Sequence, residues 1–98
     1  MPITSSNVDN AVRIRTGERF DYSSHNEFRN AYKDENTNCE YIIDMSGTSY
    51  MDSSALGMML LLREHASIDS SNITITGCNP EIKKILEISN FDKLFKIA

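Results

Sequence analysis

Tyr41-Ile42-Ile43-Asp44-Met45-Ser46, then Tyr50-Met51-Asp52-Ser53-Ser54-Ala55-Leu56-Gly57 running into Met58-Met59-Leu60-Leu61-Leu62, decides how this chain folds. The first segment is short and apolar, and Met58 to Ala66 contains neither glycine nor proline, so the order reads strand, loop, helix. Asp52 or Ser53 fits the N-cap, where a side-chain oxygen accepts a hydrogen bond from a backbone N–H one turn in that otherwise lacks a partner. A hydroxyl in that first turn sits at the positive end of the helix dipole, beside open N–H groups, and a phosphate placed there is accommodated locally. Ser53 is therefore a candidate modification site, set against the ordinary use of Ser and Asp at helix starts as caps alone.

Spacing the residues of this helix by about 100° puts Ala55, Met58, Met59, Leu62 and Ala66 on the side expected to face a sheet, with Ser53, Gly57 and Glu64 opposite. Leu60 falls near Ser53, and Leu56 and Leu61 flank it. That is more apolar surface than one buried stripe needs. Neighbouring helices are expected to cover at least one of Leu56 and Leu61. Leu60 is harder to hide, and beside a modifiable hydroxyl and the small Gly57 it makes a docking patch. Met58 and Met59 read as flexible core fillers.

Working outward, Ile3 to Ser6 and Ala11 to Thr16 form an edge hairpin in which Val12 and Ile14 alternate against Arg13 and Arg15. Ser23-Ser24 precede a short amphipathic helix, Glu27 to Lys33, with Phe28, Ala31 and Tyr32 on one face. Asp34 to Asn38 and Ser67 to Asn72 are polar connections, and Ile73-Thr74-Ile75-Thr76 is a further strand. Gly77 and Pro80 bracket a turn, with Pro80 in the first turn of a last long helix, Pro80 to Ser89. The alternation predicts an α/β fold, with a mixed, largely parallel central sheet joined by right-handed crossovers.

The run Met51-Asp52-Ser53-Ser54-Ala55-Leu56-Gly57 resembles the signature of STAS-domain anti-sigma factor antagonists. Gly17-Glu18-Arg19-Phe20-Asp21 is similar to that family's early Gly-Glu-x-Asp segment with one residue more, and the segments Ile73–Thr76, Pro80–Ser89 and Phe91–Phe95 also follow the family's order. The resemblance implies a STAS-like domain with helices mainly on one face. It implies Ser53 as phosphoacceptor, Asp52 as its acidic neighbour and Ser54 as a second hydroxyl, with Leu56 and Gly57 in the first turn of the helix and Asp21 in the early segment. Taken with the helical spacing, Leu56, Gly57, Leu60, Leu61 and Asp21 are the expected partner-binding residues. The implied activity is that of a phosphorylation-switched binding protein in a bacterial partner-switching system. Its implied partners are an anti-sigma factor that is also a serine kinase, and a serine phosphatase that resets Ser53. A second reading is a STAS subunit of a membrane transporter that contacts its ATPase. A distant third is a small serine hydrolase acting through Ser53.

Size and charge bound the alternatives. At 98 residues the chain closes one core, residues 1–98 as a single domain, without room for a second functional module. The net charge is −4 and the ten Lys and Arg residues are scattered, which argues against nucleic acid as a partner. Thr4-Ser5-Ser6-Asn7 stands where a signal peptide needs an apolar stretch, so Cys39 and Cys78 are expected as thiols in a cytoplasmic protein. The apolar run Met58 to Leu62 is too short for membrane insertion. No catalytic residue, metal site or cofactor is expected: His25 and His65 lie in polar segments, where they are expected to be solvated, and Ser46-Gly47-Thr48 is too short to cradle a phosphate.

Overall fold

The rows of apolar residues set up by strand alternation organise the molecule. The computed structural model describes residues 3–9, 11–35, 39–66 and 73–98. Along the chain come β1 (Thr4–Val8), β2 (Ala11–Arg15), β3 (Arg19–Phe20), α1 (His25–Asn30), β4 (Glu40–Asp44), β5 (Tyr50–Met51), α2 (Ser53–His65), β6 (Ile73–Thr76), α3 (Pro80–Ile88) and β7 (Lys96–Ile97). The main sheet has the order β1-β2-β4-β6-β7. β1 runs antiparallel to β2, and the other neighbours are parallel, so the sheet is mixed.

Register places Val12 beside Tyr41 and Tyr41 beside Ile73, and in the next row Ile14 beside Ile43 and Ile43 beside Ile75. These six side chains are fully buried. They share one core with Phe28 of α1, Ala55, Met58, Met59 and Leu62 of α2, and Ile82 and Leu86 of α3. The opposite residues of β2, Arg13 and Arg15, are exposed and both approach Asp44 Oδ2, at 3.0 and 3.7 Å. One sheet face therefore carries the helices and the other is polar, as the alternation predicts.

Several elements differ from the sequence reading. β1 runs on to Val8, and the chain turns at Asp9, whose φ is 53°. The first helix begins at His25 rather than Glu27 and ends at Asn30, with Ala31 to Asp34 in turns. Neither Ser23 nor Ser24 caps it with a side chain; Asp21 instead caps a 3₁₀ turn, Tyr22–Ser24, that leads into it. β3 and β5 form a separate two-residue parallel pair, Arg19 opposite Tyr50 and Phe20 opposite Met51, which periodicity cannot reveal in segments this short. His65 is not a solvated surface group: its ring lies 5.1 Å from that of Tyr32 and 6.0 Å from that of Tyr41, and Nε2 is 3.0 Å from the Glu35 carbonyl oxygen. An imidazole is apolar on its faces, so a helix-end histidine fills a gap between two tyrosines while its nitrogen bonds backbone. The connection from Ser67 to Asn72, and residues 36–38 of the earlier polar loop, lie outside the described residues.

Where the parallel strands end, buried hydroxyls tie the loops together. Thr16 and Thr48 share a hydrogen bond, Thr48 Oγ1 donates to the Gly17 carbonyl, and Asn79 Nδ2 donates to the Thr48 carbonyl at 3.3 Å. Asn79 is also the N-cap of α3, accepting the Ile82 N–H at 2.8 Å, and Pro80 is the first helical residue, where its missing N–H costs nothing. This network fixes the loop that carries the chain from β4 to β5, and thus the entrance to α2.

Candidate functional site

The start of α2 is built by Asp52. Its backbone is extended, and Oδ1 accepts the Ala55 N–H at 3.2 Å, so of the two possible caps it is the aspartate that serves. Ser53 becomes the first helical residue, and both Ser53 and Ser54 are exposed.

Asp52 also reaches across the fold. Its Oδ2 accepts the Tyr22 N–H at 3.2 Å, while its own N–H points to the Phe20 carbonyl at 3.4 Å. The 3₁₀ turn that carries Tyr22 is held independently. Asp21 Oδ1 accepts the Ser23 N–H at 3.0 Å and the Ser23 hydroxyl, Ser24 Oγ accepts the Asp21 N–H at 3.4 Å, and Arg19 Nε lies 3.3 Å from Asp21 Oδ2. The Ser23 hydroxyl, aided by its backbone N–H and by Arg19 and outweighing the opposing effect of burial, holds the Asp21 carboxyl below the usual carboxylate range. The Arg19 guanidinium also lies 4.4 Å from the centre of the Tyr50 ring.

Between the 3₁₀ turn and α2 runs an apolar groove of about 360 Å³, with Tyr22 and His25 on one side and Ser54, Gly57, Met58 and Leu61 on the other. Tyr22 is 75 % exposed, Leu61 45 % and Leu60 39 %. Leu56 is half-buried and packs against the core, so the expectation that one of the two flanking leucines is covered holds for Leu56. A Cβ added at Gly57 meets nothing within 4 Å, which leaves the wall of the groove low at that point.

Apart from the half-buried Leu56, the residues named from the sequence thus separate into two sets. Asp52, Ser53, Ser54, Gly57, Leu60 and Leu61 lie along the outward side of α2. Asp21 is buried beneath the 3₁₀ turn, where its carboxylate is occupied by Ser23 and Arg19. Sequence reasoning missed Tyr22 and His25 as groove residues. Tyr22 lies in a polar stretch, and nothing local to it indicates that it meets Gly57 and Leu61.

Chemically, the arrangement offers two accessible hydroxyls at the positive end of a helix beside an apolar groove. His25 shares that groove with Ser54, and no hydrogen bond joins them. Among the described residues, no group of three or more His, Cys, Asp or Glu side chains gathers as a metal would need. No helix among them is long and apolar enough to cross a membrane.

Comparison with known proteins gives the same outline. The family model described as "Mlab, STAS domain" matches residues 3–96. A STAS-domain containing protein of Pseudomonas aeruginosa (strain UCBPP-PA14) is 49 % identical over 88 residues, which span 89 % of this chain and 87 % of that one. Among solved structures, an anti-sigma-factor antagonist (STAS) domain protein from Planctomyces limnophilus superposes with a TM-score of 0.83 at 13 % identity, covering 99 % of this chain and 89 % of that one. The anti-sigma factor antagonist SpoIIAA in its unphosphorylated form gives 0.67 at 18 % identity, with 93 % and 96 % covered. Bacillus SpoIIAA in its phosphorylated form gives 0.72 at 19 % identity, with 98 % and 90 % covered. At these identities the solved structures speak for the fold.

Proposed function

We propose a function from one fixed premise: this chain belongs to the STAS-domain family. Within that family it acts as a phosphorylation-switched binding protein, an anti-sigma factor antagonist in a partner-switching system. Unmodified, it docks an anti-sigma factor that is also a serine kinase, through the outward side of α2. The kinase transfers a phosphoryl group from ATP to Ser53 Oγ, the complex separates, and a serine phosphatase restores the hydroxyl. The chain works in the cytoplasm by binding, without catalysis of its own, a cofactor, nucleic acid or insertion into a membrane.

One observation carries this reading: Ser53 is an exposed first-turn residue on the same helix side as the exposed Leu60 and Leu61. Phosphate brings a charge of roughly −1.5 to −2 into an apolar contact surface, next to the Asp52 carboxylate. A desolvated interface tolerates that poorly. A loss of about 1.4 kcal/mol already means tenfold weaker binding. Ser54, about 100° further round the helix, is the second hydroxyl and not the principal acceptor.

Calorimetric titration of wild type, Ser53→Ala and Ser53→Asp against the serine kinases encoded in the same genome tests the proposal. Ser53→Ala is expected to bind constitutively. Ser53→Asp is expected to bind more weakly, with a penalty that shrinks at raised salt. Equal affinity of all three forms overturns the switch, and is what a transporter subunit bound to its ATPase regardless of Ser53 predicts.

A further inference from the structure

The Asp52 carboxylate serves two elements at once. One oxygen caps α2 through Ala55, and the other holds the N–H of Tyr22, the first residue of the 3₁₀ turn across the groove. Both bonds measure 3.2 Å. The groove of about 360 Å³ lies between the two elements that this carboxylate joins, with Tyr22 as the most exposed large apolar side chain on its rim.

We propose that Asp52 carries the state of Ser53 to Tyr22: a phosphate on Ser53 displaces the Asp52 carboxylate, frees the Tyr22 N–H and lets the far wall of the groove part from α2. The inference rests on the reading of Ser53 as the phosphorylated residue, and it specifies how the modification is felt by the rest of the surface.

A phosphoserine at the first helical position places a group of roughly −1.5 to −2 charge beside the N–H donors of the first turn, where anions are favoured. It competes there for the donor that Asp52 uses, and it repels the neighbouring carboxylate. α2 keeps a cap, now the phosphate, but Tyr22 is left with no acceptor in place of Asp52.

The 3₁₀ turn does not collapse when that bond is lost, because Asp21, Ser23 and Ser24 hold it from within. It moves as a unit. Of the bonds that Asp52 makes to this wall, the long contact of 3.4 Å between its N–H and the Phe20 carbonyl remains, and the β3–β5 pair behind it serves as the hinge. The partner then faces a groove whose two walls are no longer in register, in addition to a charged group.

The test uses the intact chain with phosphoserine incorporated at position 53 during synthesis, so that no kinase is required. Amide resonances and exchange rates are compared with those of the unmodified protein and of Asp52→Asn. Asparagine is a good N-cap but has only one acceptor oxygen, so it holds Ala55 and releases Tyr22. The Tyr22 amide is expected to shift, and its exchange to quicken roughly tenfold, in both the phosphorylated protein and Asp52→Asn, as loss of one charge-assisted hydrogen bond implies. The Ser23 and Ser24 amides are expected to keep their positions.

An unchanged Tyr22 amide in the phosphorylated protein overturns the inference, whatever Asp52→Asn does and even if that variant folds poorly. Partner titration of the same phosphorylated sample bears on the other question. Undiminished affinity there overturns the switch itself, whereas lost affinity with an unmoved Tyr22 overturns only the role of Asp52.

Discussion

Gly77 rests against Ser46 so closely that a Cβ on the glycine would stand 2.8 Å from both the Ser46 backbone nitrogen and its Cβ. The φ of Gly77 is +73°, which a side chain rarely adopts. Position 77 directly follows β6 and lies next to the loop that leaves β4, so the turn into α3 is fitted to the loop that leads on to α2.

Gly77→Ala is accordingly expected to destabilise the fold by roughly 1–3 kcal/mol, through backbone strain together with a clash that flexible atoms cannot relieve. Urea unfolding with an unchanged slope would register it as a lower midpoint. A variant as stable as wild type would show that the turn relaxes freely.

Gly57→Ala should do the reverse to stability. A methyl group there meets no neighbour, and alanine in the middle of an exposed helix is favoured over glycine by about 0.8–1 kcal/mol, so the melting point rises. The same methyl group raises the wall of the groove next to Leu61. Weaker partner binding in a more stable protein would identify position 57 as a contact, and unchanged binding would move the contact elsewhere.

Leu60 and Leu56 separate surface from core. Leu60→Asp is expected to leave the circular dichroism and thermal melt nearly unaltered while weakening partner binding about tenfold or more. Leu56→Asp puts a charge where a half-buried leucine packs against the core, and should cost roughly 1–3 kcal/mol of stability. Loss of fold in Leu60→Asp would reassign that residue to the core.

The acid limb of stability is expected to depend on Asp44. Burial alone would raise its carboxyl, but hydrogen bonds from Ser46 and the Arg13 guanidinium at 3.0 Å outweigh it and hold the group below its ordinary value of 3.8. A folded-state value below the unfolded one means that the stabilisation is present above the unfolded value and is lost as pH falls through the folded one. Wild type should therefore lose stability as pH falls through the ordinary carboxylate value of 3.8 and below it, and Asp44→Asn should lose less over that fall. Parallel slopes for the two proteins would place the acid sensitivity elsewhere, Asp21 being the first candidate.

The parts of this architecture that were legible in the sequence are those set by neighbours a few residues away. The buried side of α2 followed from the spacing of Ala55, Met58, Met59 and Leu62, and the exposed Leu60 from the same wheel, which left open whether Leu56 or Leu61 is covered. Val12 and Ile14 declared their strand by alternation, and Pro80 announced its helix. Illegible were the features made by residues distant in sequence: the β3–β5 pair, the reach of Asp52 to Tyr22, and the groove that Tyr22 shares with Leu61. His65 misled for a related reason, since two tyrosines far from it in sequence turn a polar residue into packing. Asp21 was recognised as part of a motif, yet its place beneath the 3₁₀ turn depends on Ser23 and Arg19, and residue type alone does not reveal that.

The β3–β5 pair has a consequence for the birth of the protein. One wall of the groove comes from Tyr22 and His25 and the other from Ser54 to Leu61, and the pairing of Arg19 and Phe20 with Tyr50 and Met51 sets the two walls side by side. A chain still leaving the ribosome can coil α2 early, since helices form from local contacts, but closing the loop back to β3 is a later and slower event. Before that closure Ser53 starts a helix with no groove beside it. Any protein that recognises both walls together is therefore a proofreader of sorts, blind to nascent and misfolded copies and responsive only to chains that have finished folding.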